Sequence, residues 1–540
     1  MSKFAAFKRQ PVPAQAAQRM QAITLAAPTR GLVMNENEAF MQPGGCVVLD
    51  NWSPTMRGLK LRAGCIKWCT LPNPTPVVSA FEYASGNNHE MFAAQDTALY
   101  NVSSSAPELV TDIQTNGNYS ASQLANAAGD YLIAVNDGGD YPMRYDGIAW
   151  TRLDTDQIHG PPDTTVEHGK NLIHVCKYRN RWFFIEGGSM NAWYLPLNAI
   201  QGALLMIPLS GAATKGGKLM FAATWSVDAG DGIDDKLVFV TTLGELLIFT
   251  GSDPGNAAAW RQEGRYQIGA PMGKNAHTTI GGDLLIATTD GITPVSAAIT
   301  KTAEQLDLAA ITLPIKNMWR DEVADKNDLP WTLRVWEEYG AMFVTWPGGR
   351  PGRQYCAMVN TATSAWARFT GWDALCWIKM RKDMFFGTQL GVIMQADRGG
   401  TDDGKPYTAS MVGSWSRMTG GPETITWRQA RASFASNFAG SFQPQLAACT
   451  DYIVRLPTPP PPAEAQPLAD VWDQGLWDDA LWDADAPASR PDIRNTGWVS
   501  IGETGYAHAP VVQVSVAQAV RPNVELISYS VVYERCGVNV

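Results

Sequence analysis

Short apolar runs bracketed by polar turns recur along this chain about every 50 residues, the spacing of a repeated β unit. Each unit reads as a polar turn, an apolar strand, a Gly or Asp, and a second short apolar strand. The apolar runs cover 90–94, 130–135, 181–185, 236–240, 283–287, 341–344 and 383–386. Partner strands follow at Ala98-Leu99-Tyr100, Leu246-Leu247-Ile248-Phe249 and Val392-Ile393-Met394. The starts are separated by roughly 40 to 58 residues, the length of one four-stranded propeller blade. One blade cannot bury both of its faces alone, whereas blades stacked in a ring share one core. The pattern therefore predicts an all-β chain: a β-propeller of six or seven blades, with an additional β-sandwich-like domain formed by the C-terminal region and an N-terminal segment.

The flanking segments divide the chain further. Residues 1–27 are rich in Ala, Gln, Lys and Pro and read as a flexible or partner-ordered arm. Residues 28–69 hold strands expected to join the C-terminal domain or platform. Among them, Leu59 and Leu61 alternate with Lys60 and Arg62, which marks a half-exposed strand. The propeller is assigned to 70–400, interrupted by a helix near 302–327 that Pro314 should break or kink. A C-terminal β domain is assigned to 401–456 and 463–540. Within it 425–431 alternates as a strand, and 511–533 reads as two strands closing a small sandwich. Its two parts are separated by a stiff Pro-rich linker at 457–462. Beyond the linker Trp472, Trp477 and Trp482 recur every five residues, a period of neither helix nor strand. They read as rings of an extended segment that dock on a neighbouring subunit or on the same domain.

Composition fits this picture. A chain of 540 residues is too long for one core, and 49 Gly with 34 Pro suits a turn-rich β protein. Twenty Trp favours large packed aromatic surfaces. The net charge of −10 argues against a protein that grips nucleic acid, because phosphate binding needs clustered Lys and Arg. It is compatible with a wall past which DNA slides without sticking. Eight scattered Cys read as buried thiols, since Cys65 and Cys69 form a lone C-x3-C with no second pair to complete a zinc site. The N-terminus lacks the apolar stretch of a secretory signal, and no run is long enough to span a bilayer.

Catalytic signatures fail one by one. The stretch 211–219 imitates a phosphate-binding loop but misses its Gly-Lys-Ser/Thr ending. His168 and His174 are the nearest approach to a metal pair, and they read as ordinary polar side chains. Asp228, Asp231, Asp234 and Asp235 form an acidic loop whose carboxylates suit a hard cation such as Ca2+, without EF-hand spacing. They are weak metal candidates beside the reading as a solvated turn. The neighbouring acids Asp402 and Asp403 are the residue type a glycosidase would use. No catalytic residue, cofactor or metal is assigned, and the chain is not expected to be an enzyme.

Five stretches stand out: 48–55 (Val-Leu-Asp-Asn-Trp-Ser-Pro-Thr), 57–64 (Arg-Gly-Leu-Lys-Leu-Arg-Ala-Gly), 228–235 with Gly244-Glu245 and 249–254, 281–292, and 532–537. Together they resemble virion structural proteins of tailed bacteriophages, and most of all the tail nozzle or tail hub proteins of short-tailed, podovirus-type phages. The resemblance implies a virion protein of the tail, made in the host bacterial cytoplasm and assembled as a homohexameric ring below the portal and tail adaptor rings. That ring would extend the channel, retain the genome and conduct DNA during ejection, with tail fibres or spikes attached outside. DNA would pass through the lumen without specific binding. Trp52, Trp319, Trp472, Trp477 and Trp482 are the candidate subunit or partner contacts, because aromatic anchors dominate interfaces. The alternatives are another virion component, either a head–tail connector or a fibre-docking protein, and a propeller glycan hydrolase.

Overall fold

A computed structural model of the chain describes residues 20–226, 235–326, 331–346, 355–418, 423–436, 443–462, 492–517 and 521–537. Strands dominate them, and seven antiparallel blades form around one axis. Blade 1 contains Val77–Ser85, Asn88–Gln95, Ala98–Asn101 and Glu108–Thr111. Blade 2 contains Ser120–Asn126, Gly129–Val135, Met143–Tyr145 and Trp150–Arg152. Blade 3 contains Leu172–Tyr178, Arg181–Glu186, Asn191–Tyr194 and Leu205–Pro208, and blade 4 contains Leu219–Trp225, Lys236–Thr241, Glu245–Gly251 and Trp260–Gln267. Blade 5 has three strands, His277–Ile280, Asp283–Thr288 and Gly291–Pro294. Blade 6 contains Thr332–Trp336, Ala341–Thr345, Tyr355–Asn360 and Trp366–Thr370. Blade 7 takes Cys376–Met380, Asp383–Gly387 and Val392–Ala396 from late in the chain, and its fourth strand, Cys65–Thr70, from the start. Six blades are separate sheets, and the seventh, blade 6, is the end of a larger one.

The seven apolar runs of the sequence are the second strands of the seven blades. They are buried on both faces, as Trp182, Phe183, Phe184 and Ile185 in blade 3 illustrate, each with no exposed surface. Burying such a side chain contributes about 1.5–3 kcal/mol relative to exposure. Each run ends or is followed by one buried polar residue: Gln95, Asn136, Glu186, Thr241, Thr288, Thr345 and Thr388. Thr345 bonds to Thr332 on the neighbouring strand, and the others serve the turn that follows or the loop beside it. Thr241 Oγ1 accepts from the Glu245 amide, and the Thr288 and Thr388 hydroxyls donate to the carbonyls of Gly291 and Val392. A buried polar group needs a partner, so this position fixes where each strand stops.

The ring is closed by pairing the two ends of the propeller segment, with Cys65–Thr70 on Val392–Ala396. The N-terminal strands therefore do not all join the C-terminal domain, as the boundary at 69 supposed. Nor is all of 1–27 an arm, because Gln21–Ala26 is a strand paired with Val524–Gly537. The helical insertion is three pieces, Ala303–Ala309, the 3-10 turn Leu313–Ile315 and Lys316–Lys326; the break falls at 310–312, where Ala310 is extended, and Pro314 sits inside the 3-10 turn that opens the last helix rather than at the break. A further helix, Val295–Thr300, precedes them and packs on blade 5.

The sheet of blade 6 continues outward through Gly31–Leu32, Gly45–Asp50, Tyr407–Gly413, His508–Val516 and Gln445–Thr450, nine strands in all. A second sheet of seven strands is built on Thr424–Ser436 and Val524–Gly537. Val512, Val514 and Leu446 of the first and Trp427, Tyr529 and Val531 of the second belong to one buried cluster with residues of blade 6, so the two sheets form a sandwich continuous with the propeller. No helix among the described residues is long and apolar enough to cross a membrane.

Candidate functional site: the propeller axis and the domain joint

The first strand of every blade lines a central cavity of about 580 Å3. Ser79, Ser122, Gln123, Thr224, Thr278 and Thr332 give it a hydroxyl- and amide-rich wall. The Arg334 guanidinium pairs with Glu82 across two walls at 3.5 Å. Burial raises the Glu82 carboxyl above its usual range, against the pull of Arg334 and Lys379.

The segment before blade 5 bridges the axis. The Lys274 ammonium donates to the carbonyls of Asn118 and Ile173 at 2.8 and 3.0 Å, and to the Asp137 carboxylate at 2.7 Å. Asn275 Nδ2 donates to Tyr119 O at 3.3 Å. These contacts tie blade 5 to blades 2 and 3 across the ring. Burial lowers the pKa of Lys274, and Asp137 opposes the shift. Beside it the imidazoles of His174 and His277 lie 5.7 Å apart, and His277 stacks on Phe221 at 4.4 Å. Burial pushes His174 well below the usual histidine range, with His277 and Lys274 adding to it, and burial brings His277 to about 4. Both rings are therefore neutral at pH 7. His174 thus pairs with His277 rather than with His168.

The second polar cluster lies at the joint of propeller and sandwich. Arg62, expected on a wet face, is fully buried. Its guanidinium forks onto Asp402 at 2.8 and 2.6 Å, donates to Asn51 Oδ1 at 2.7 Å and to the carbonyls of Ala63 and Thr370, and lies 3.9 Å from the Tyr407 ring centroid. Tyr407 returns a hydrogen bond to Arg62 O. Nearby, Asp50 takes two hydrogen bonds from Arg368, at 2.7 and 3.0 Å. Asp402 is committed to this fork and is not free as a general acid or base.

Other candidates resolve differently. The 211–219 loop does present amides to an anion, but the anion is internal. Glu245 accepts from the amides of Thr214 and Lys215 at 2.9 and 3.0 Å. Burial alone would raise the Glu245 carboxyl, and these amides outweigh it and hold it low. Of the acidic loop, Asp228, Asp231 and Asp234 lie outside the described residues. Asp235 is buried, its carbonyl taking the Tyr178 hydroxyl at 2.9 Å. No group of three metal-ligating side chains occurs among the described residues. All eight Cys are free thiols, with only Cys536 exposed.

Two proposed contact residues are corrected. Trp52 and Trp319 are 0% and 1% exposed and so are unavailable to a partner. Trp319 packs 5.0 Å from Trp331 and donates to Thr288 O at 3.0 Å. A ring with no wet edge is a core residue, and sequence alone does not separate the two. Trp472, Trp477 and Trp482 lie outside the described residues. Sequence reasoning missed Lys274, Asn275 and His277. Lys274-Asn275 between two Gly-rich turns gives little signal, because the partners are over 100 positions away.

No protein-family model matches this chain, and no curated protein matches it. Solved structures align with it at low identity. The computationally designed Ika8 protein aligns with 7% identity over 62% of this chain and 99% of that one, at a TM-score of 0.36. The β-propeller domain of Myceliophteria thermophila Cps50 (Swd1) aligns with 12% identity over 63% and 98%, also at 0.36. YCF48 bound to D1 peptide aligns with 10% identity over 68% and 97%, at 0.35. The propeller assignment itself stands on the sheet topology of this chain.

Proposed function

We propose that this chain is a structural protein of a short-tailed phage virion, a tail nozzle or hub that assembles as a ring under the portal and adaptor rings. The observation that carries the reading is where the resemblance-bearing segments lie. Residues 48–55 and 57–64 supply Asp50, Asn51 and Arg62, the residues that lock the propeller to the sandwich. Residues 532–537 belong to the long strand at the centre of the second sheet. The familiar segments thus make a rigid two-part scaffold, which suits a load-bearing ring rather than a catalyst.

The axis of the propeller itself is not the DNA conduit in this reading. Its cavity has the volume of a small-molecule pocket, and Lys274 and Asn275 bridge it. The conduit is the lumen between subunits. Fibres or spikes would dock on the outer rim.

Immunogold electron microscopy of particles from the source, with antibody to this chain, tests the proposal. Gold at the tail tip is the expected result. Gold on the particle away from the tail axis would favour another virion component. Intact and detergent-opened particles that both stay unlabelled, with the protein present in the lysate, would overturn it.

A further inference from the structure

Among the described residues, the seven-stranded sheet has two edges without a partner strand. One is Gln21–Ala26, which pairs only with Val524–Gly537 among the described residues. Ala27 donates its amide to Ile527 O at 2.9 Å. In an antiparallel ladder this puts Gln21, Ile23 and Leu25 in the pairs that exchange bonds with the long strand, and turns the N–H and C=O groups of Ala22, Thr24 and Ala26 outward. Side-chain spacing agrees: Thr24 and Ser530, in the closer kind of pair, touch through their hydroxyls at 2.9 Å. Five of the six residues are exposed, and Met20 beside them is 66% exposed.

Soluble proteins normally guard such an edge with charge, Pro, a bulge or a covering element. This strand, Gln-Ala-Ile-Thr-Leu-Ala, has no charge, no Pro and no register shift. The opposite edge, Asp492–Asn495 and Val499–Gly505 along Thr424–Ser436, also has no further partner strand among the described residues, and it carries three exposed large apolar side chains: Ile493, Trp498 and Val499 at 64%, 43% and 39% exposure.

We infer that the Gln21–Ala26 edge of one copy pairs with the Asp492–Asn495/Val499–Gly505 edge of a second copy, extending one sheet from subunit to subunit. Self-pairing of Gln21–Ala26 would cover one edge and leave the Ile493, Trp498 and Val499 cluster in water. Head-to-tail pairing covers both, and it uses two different patches per subunit, the contact type that closes a ring. The inference rests on the virion reading only for the size of that ring.

Ala22→Pro removes an outward amide that has no partner strand among the described residues, so it should abolish assembly and leave the fold intact. Ala22→Lys places a charge at the same edge as a second test. Sedimentation velocity of the full chain over a concentration series reads assembly, and thermal melting of each variant checks the fold. In a Cys536→Ser background, a short bis-maleimide should link a chain carrying Ala22→Cys to one carrying Ser500→Cys, and should link neither chain to itself. A wild-type monomer at every concentration, assembly unchanged in both Ala22 variants that melt like wild type, or Ala22→Cys chains linking to one another would each overturn the inference. Failure here differs from failure of the virion reading. Chains that fail to link yet label tail tips sink only the edge pairing, and chains that link yet label no particle sink only the tail assignment.

Discussion

The Arg62 guanidinium and the Asp402 carboxylate meet in a two-bond fork although 340 positions separate them in the chain. Arg62 comes from the short link between Leu59–Leu61 and the closing strand Cys65–Thr70, and Asp402 from the turn that leaves the propeller. The pair therefore fastens the entrance of the propeller to its exit at the point where the sandwich begins. A buried fork of this kind is net stabilising only when every donor is satisfied. Here Nε, Nη1 and Nη2 all have acceptors.

Breaking that pair should cost more than removing it whole. Arg62→Met strands the Asp402 carboxylate and should destabilise the chain by about 3–5 kcal/mol. Asp402→Asn should do comparable damage by leaving the guanidinium without its counter-charge. The double variant Arg62→Met/Asp402→Asn should lose less than the sum, with a coupling of about 0.5–3 kcal/mol. Urea denaturation followed by Trp fluorescence measures all three.

The reading of 59–62 as a half-exposed strand shows what pattern alone sees. Leu59–Leu61 does alternate as expected, with both Leu buried. Arg62 follows the same alternation outward and yet is buried, because its partner lies far along the chain and no local signal announces it. The second strands of the blades were legible for the opposite reason: being buried on both faces, they are apolar without interruption. First strands line a wet axis and are mixed in character, as 172–178 (Leu-Ile-His-Val-Cys-Lys-Tyr) illustrates. Cys65–Thr70 shows three exposed or half-exposed residues in succession, so its place as the closing strand of blade 7 was hidden. The axial bridge was hidden too, since Lys274 reads as any turn lysine.

Lys274→Met should weaken the ring at its axis. The substitution leaves the carbonyls of Asn118 and Ile173 without that donor, at a cost of about 1–3 kcal/mol. Hydrogen exchange should rise in blades 2, 3 and 5 and stay unchanged in the second sheet. Uniform loss of protection across the chain would instead mean that the bridge is a global staple.

Mild acid should destabilise the protein. His277 and His508 are brought by burial to about 4, from an ordinary 6.5, and His174 is also lowered well below it. A lowered histidine binds its proton in the unfolded chain first, so stability is intact above pH 6.5 and falls as pH drops towards 4. Asp373 works the other way: burial raises it to about 6, so the folded state gains protons there before the unfolded one. Burial raises Glu82 and Asp397 in the same sense as Asp373, and the three histidines outweigh these carboxyls, so the melting temperature should fall between pH 7 and pH 5. His277→Gln with His508→Gln should flatten that dependence, whatever it does to stability at pH 7.

The chain should not hold DNA. Its net charge of −10 opposes the backbone, and many of its cations are already paired within the fold. Arg62, Lys236, Lys274, Arg368 and Lys379 each hold a carboxylate within 2.7 Å. A surface left with unpaired acids repels phosphate, and whatever binding remains should vanish steeply with salt. Fluorescence anisotropy of labelled duplex DNA should show no saturable binding at physiological ionic strength, and the lumen of an assembled ring should be neutral to acidic. Tight, salt-resistant binding, or a ring whose inner wall is dominated by Lys and Arg, would contradict a conduit past which DNA slides.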